Sequence, residues 1–124
     1  MALGIQLSDA LGSRQALAIL GDQATISAAG TNQATATAIT TAVAIVSTVA
    51  LGTGVILPKS TAVSLNGGDR IHIANHGANA LAVYPPVGGK LSNNTVNVPA
   101  MIAPNKCADF YNIDGTNWTA LLSA

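Results

Sequence analysis

Residues 67–86 read GGDRIHIANHGANALAVYPP. Ile71 and Ile73 alternate with Arg70, His72 and Ala74, and Leu81 and Val83 alternate with Ala80, Ala82 and Tyr84. A period of two marks a strand with one buried face. Between the two runs lies Asn75-His76-Gly77-Ala78-Asn79, where Gly and Asn tolerate the positive φ of a chain reversal. The stretch predicts a hairpin, opened by Gly67-Gly68 and closed by Pro85-Pro86.

The same pattern extends on both sides. Residues 38–50 are dense in Val, Ile and Thr and predict a strand. Gly52-Thr53-Gly54 turns the chain, and residues 55–57 form the next strand before Pro58. Further strands are predicted at 61–65, 95–98, 107–113 and 118–122. Asp114-Gly115-Thr116-Asn117 joins the last two, since Asp-Gly suits a type I′ turn. Many short strands separated by turn signals predict a mainly β fold, a single β-sandwich or jelly-roll-like domain over 38–124.

Residues 1–37 read differently, as an N-terminal arm and linker. Ser8 suits the cap of a short helix over 9–20, with Gly21 as its stop, although Gly12 interrupts it. Leu3, Ile5 and Leu7 also alternate, which suits a strand. Residues 22–37 are rich in Ala, Thr, Ser, Gly, Asn and Gln and read as an extended linker, or else as a poorly marked strand.

Composition narrows the function. The chain has 124 residues, enough for one core, and only 8% are charged. Glu is absent, and five Lys and Arg balance five Asp. A neutral chain with scattered bases offers no electrostatic footprint for nucleic acid or an anionic membrane. Near-zero net charge favours association. One Cys, Cys107, excludes an internal disulfide. Residues 39–57 approach the length of a membrane span, but Thr40, Thr41, Ser47, Thr48 and Thr53 run through them and Gly52 and Gly54 interrupt them, so buried strands are expected instead.

No motif for catalysis stands out. His72, His76 and Cys107 are weighed as metal ligands, but no carboxylate sits at a ligand spacing, and ordinary strand or surface histidines are expected. Ser, Thr, His and Asp fall in no nucleophile frame. Gly67-Gly68 and Gly88-Gly89 lack the following Lys-Ser/Thr of a phosphate loop and read as turns. Phe110 and Trp118 are expected in the core. No enzyme activity, metal or cofactor is expected.

Three runs carry a resemblance: TAVAIVSTVALGTGVILP, GDRIHIANHGANALAVYPPVGGKL and ADFYNIDGTNW, spanning 41–118. The pattern resembles small virion structural proteins of tailed double-stranded DNA bacteriophages. That resemblance implies a β-sandwich serving as a capsid decoration (cement) protein, a head fibre or a tail part, often as a homotrimer. Decoration is the reading taken: a protein on the capsid surface of the virion that binds the major capsid protein. The rival is a tail or fibre protein that binds host-surface glycan. Leu3, Ile5, Leu7, Leu11, Leu17 and Leu20 exceed what one short helix needs to bury, so the N-terminal segment is expected to dock on the capsid.

Overall fold

The structure, a computed structural model, describes residues 22–59 and 70–123. The expected helix at 9–20, the strand at 61–65 and all six proposed docking leucines and isoleucine lie outside those residues.

Nine strands are described: β1 (Gln23–Ser27), β2 (Thr37–Ala38), β3 (Val43–Thr48), β4 (Gly54–Ile56), β5 (Arg70–Asn75), β6 (Leu81–Tyr84), β7 (Ala100–Ile102), β8 (Cys107–Asn112) and β9 (Trp118–Leu122). The described residues contain no helix. They form two mixed sheets. Sheet A has the order β1-β3-β5-β8-β9 and sheet B the order β2-β4-β6-β7.

Odd and even strands alternate between the sheets through β6. β1, β3 and β5 stack in parallel in sheet A, and β2, β4 and β6 stack in parallel in sheet B. The chain therefore makes three successive passes, each placing one strand in each sheet. β7, β8 and β9 then add antiparallel strands.

Residues 70–84 do not form the expected hairpin. β5 and β6 lie in different sheets and are joined by an arch over 76–80. Alternation shows which face of a strand is buried but not which strand lies beside it. Here the two apolar faces meet across the core instead of side by side. Asn75, fully buried, holds the arch. Its Nδ2 donates to the carbonyls of Asn79 (2.8 Å) and Ile102 (2.9 Å), and its Oδ1 accepts from the Gly77 N–H (2.9 Å). Asn79 Nδ2 donates to the Val49 carbonyl in the preceding arch (2.9 Å). These bonds satisfy backbone groups of the arches and of the end of β7. Gly77 is required there, because a Cβ would lie 2.6 Å from that of Val49.

Both sheets contribute to one core. Val46, Ile71, Ile73, Phe110 and Trp118 come from sheet A, and Val55, Leu81, Val83 and Ile102 from sheet B. All are at most 2% exposed. Each large apolar side chain buried in this way contributes about 1.5–3 kcal/mol. Trp118 Nε1 and Asn112 Nδ2, on directly opposed residues, have no partner among the described residues.

The run 39–57 holds the strands β3 and β4, as expected, and among the described residues no helix is long and apolar enough to cross a membrane. Two further expectations are corrected. Residues 95–98 form no strand; Asn97 has a φ of 67°, and Val96 and Val98 are exposed. Within 22–37, read first as linker, lies β1, a strand of Gln, Ala, Thr, Ile and Ser with little to bury.

The β8–β9 turn is longer than a type I′ turn. Ile113 N–H donates to the Asn117 carbonyl (2.8 Å), and within the turn only Gly115 has positive φ. The Asp114 carboxylate accepts from the N–H of Asn117 (2.8 Å), the Asn117 side chain (2.8 Å) and the N–H of Thr116 (3.1 Å). These bonds favour the carboxylate and hold the Asp114 pKa below its ordinary value, the Asn117 N–H first among the causes. A depressed folded pKa means that the contribution is present above the unfolded value and fades as pH falls through the folded one. The amide signals of Thr116 and Asn117 should therefore titrate below the ordinary aspartate range. An inflection at or above that range would contradict these bonds.

Candidate interaction surface

Successive residues of a strand face opposite ways, so β5 and β8 turn Arg70, His72 and Ala74, and Cys107, Asp109 and Tyr111, to the outer face of sheet A. Register then sets the neighbours: Arg70 opposes Tyr111, His72 opposes Asp109 and Ala74 opposes Cys107. His72 Nδ1 lies 2.8 Å from Asp109 Oδ1, and Arg70 Nε lies 3.5 Å from the same oxygen. The Arg70 guanidinium is 6.0 Å from the centre of the Tyr111 ring. Half-exposed cross-strand pairs of this kind contribute modestly to sheet stability.

The metal reading finds no geometric support in this arrangement. His72 is engaged with Asp109, Cys107 lies two positions along β8, and His76 is exposed beyond the end of β5. Among the described residues, no three His, Cys or acidic side chains converge. The His72–Asp109 pair resembles a base with its orienting group, yet no described hydroxyl or thiol is hydrogen-bonded to His72.

Beside this cluster, sheet A ends in a different surface. Lys90–Ser92 lies along the first half of β9: Trp118 N–H donates to the Lys90 carbonyl (3.0 Å), Ser92 N–H to the Trp118 carbonyl (2.7 Å), and Ala120 N–H to Ser92 Oγ (3.1 Å). Ser92, with a φ of 51°, then turns the chain away. The second half of β9 has no strand neighbour on that side among the described residues.

Two adjoining depressions, about 300 and 150 Å³, border this half-strand. They share Cys107, Leu122 and Ser123; Ala108, Asp109 and Leu121 complete one, and Met101 and Lys106 are among those that line the other. Met101 is 51% exposed, Leu121 61% and Leu122 47%. The result is an apolar groove with one cation and one anion on its rim.

Sequence reasoning did not single out Met101, Leu121 or Leu122. Leu121 and Leu122 fall in the expected strand at 118–122, whereas no strand was expected at Ala100–Ile102, and only the ends of β7 and β9 coming together make them a surface. Compared with known families, curated proteins and solved structures, the chain matches none.

Proposed function

We propose that this chain is a non-enzymatic structural protein of a tailed-phage virion, a decoration protein that binds the major capsid protein on the head surface. The observation that carries the reading is the groove between β7 and β9. Exposed apolar side chains gathered beside a strand edge that no described strand pairs suit a protein partner, which covers the apolar atoms. Low charge with zero net charge suits a protein that works packed among neighbours. The resemblance of 41–118 supplies the class of assembly and the homotrimer. The domain behind it is read as a β-sandwich, its sheets facing each other across the shared core.

The test mixes the full-length protein with capsids that lack decoration. Co-sedimentation and a raised capsid disassembly temperature are expected. Absence of binding to capsids, with selective retention on a glycan array, would replace this reading with that of a tail or fibre protein.

A further inference from the structure

Asp114-Gly115, in the β8–β9 turn, carries a chemistry of its own. An aspartyl side chain followed by glycine is prone to close on the main chain, because glycine puts no Cβ in the path. The glycine nitrogen attacks the aspartyl Cγ. The amide proton and the carboxyl OH leave as water, and a five-membered succinimide ring forms. Water then opens the ring at either carbonyl. One opening returns aspartate, and the other leaves isoaspartate, with the main chain routed through the former side chain. Closure needs an amide nitrogen free to move, a protonated carboxyl whose OH can leave, and a backbone able to bring the two together.

The turn withholds each of these. Gly115 is buried, and its N–H donates to Oδ1 of Asn112, itself buried at the end of β8. The Asp114 carboxylate accepts from the N–H groups of Thr116 and Asn117 and from Asn117 Nδ2, bonds that favour the ionised form, which has no OH to lose. Asn117 is fixed in turn: its Oδ1 accepts the Lys90 N–H (3.1 Å), and its carbonyl accepts the Ile113 N–H (2.8 Å). The neighbouring segment closes over the same place, since a Cβ on Gly89 would lie 2.1 Å from the Thr116 carbonyl oxygen. We propose that Asp114-Gly115 is a covalent modification site that the native turn holds shut, Asn112 restraining the nitrogen and Asn117 the carboxyl, so that isoaspartate forms there only when the turn opens. Once formed, it keeps the turn open. Isoaspartate lengthens the main chain by a carbon and puts the free carboxylate on Cα, where it no longer meets the Thr116 and Asn117 N–H groups. The tie from Asn117 to Lys90 then loosens as well.

Ageing the full-length protein in mildly acidic buffer tests this independently of any virion role. Isoaspartate at position 114 is quantified by peptide mapping that separates the equal-mass isomers, in native buffer and in concentrated urea. The native protein should isomerise about tenfold or more slowly than the unfolded chain, a comparison that needs no variant to fold. Asn112→Ala and Asn117→Ala should each raise the native rate severalfold. Val83→Ala, which weakens the core from the other sheet, should raise it less than either. Equal rates in native buffer and in urea overturn the proposal. So does a Val83→Ala rate that matches those of the two Asn variants, because general stability and not the turn would then protect the site.

Discussion

Asn75→Asp should be among the most damaging single changes to the fold, costing about 3–5 kcal/mol at neutral pH. The Asn75 Nδ2 group donates to the carbonyls of Asn79 and Ile102 within a fully buried site. A carboxylate there places a charge against two acceptors and removes both donors. The Gly77 N–H that bonds Oδ1 can still be accepted, so the loss falls on the contacts that tie the arch to β7. Asn75→Ala leaves the same carbonyls unpaired without adding charge and should cost less, about 2–3 kcal/mol. The two variants also differ in pH dependence. Burial raises the folded pKa of the introduced carboxyl above its unfolded value, so the folded state holds more protons and stability falls as pH rises through the usual aspartate range. Asn75→Asp should therefore recover part of its stability in acid, and Asn75→Ala should show no such recovery. Denaturant unfolding across pH reads both effects. Wild-type stability of Asn75→Asp at neutral pH would remove the buried amide from the account of the arch.

Met101→Lys/Leu121→Lys should leave the fold intact and weaken capsid binding by tens of fold or more. Both side chains point away from the core, Met101 at 51% and Leu121 at 61% exposure. Surface changes of this kind usually alter stability by less than about 0.5 kcal/mol. Leu121 opposes Asp109 across β8–β9, so a lysine there meets a carboxylate. An interface anchor contributes about 2 kcal/mol or more, roughly thirtyfold in affinity. Binding isotherms on undecorated capsids, with thermal melts beside them, read the two quantities separately. Unchanged affinity with an unchanged melting temperature would move the capsid contact away from the groove.

Strand positions were more legible than strand partners. The expected strand at 118–122 is β9, and the one at 107–113 is β8 with one residue fewer, because each has a clear inward set: Ala108, Phe110 and Asn112 in β8, Trp118 in β9. Phe110 and Trp118 lie in the core as expected. Parallel stacking was not legible. Asn75 and Asn79 hold the arch through bonds that reach Ile102 and Val49 outside it, and an Asn-Gly-rich connection looks the same whether it closes a hairpin or crosses between sheets. β1 was ambiguous because a strand of Gln, Ala, Thr, Ile and Ser carries little apolar signal. Residues 95–98 misled in the other direction, since Val96 and Val98 alternate like a strand while Asn97 turns the backbone at positive φ. The groove could not be read locally. Met101 and Leu122 are far apart in the chain and meet only because β7 and β9 end beside each other.

The decoration reading turns on where the domain lies in an assembled particle. Electron cryo-microscopy of the virion should show density that fits the two-sheet domain on the outer surface of the head. Met101, Leu121 and Leu122 should face the major capsid protein there. Density for the domain at the tail or a fibre tip, or a head surface that carries none of it, would contradict the account.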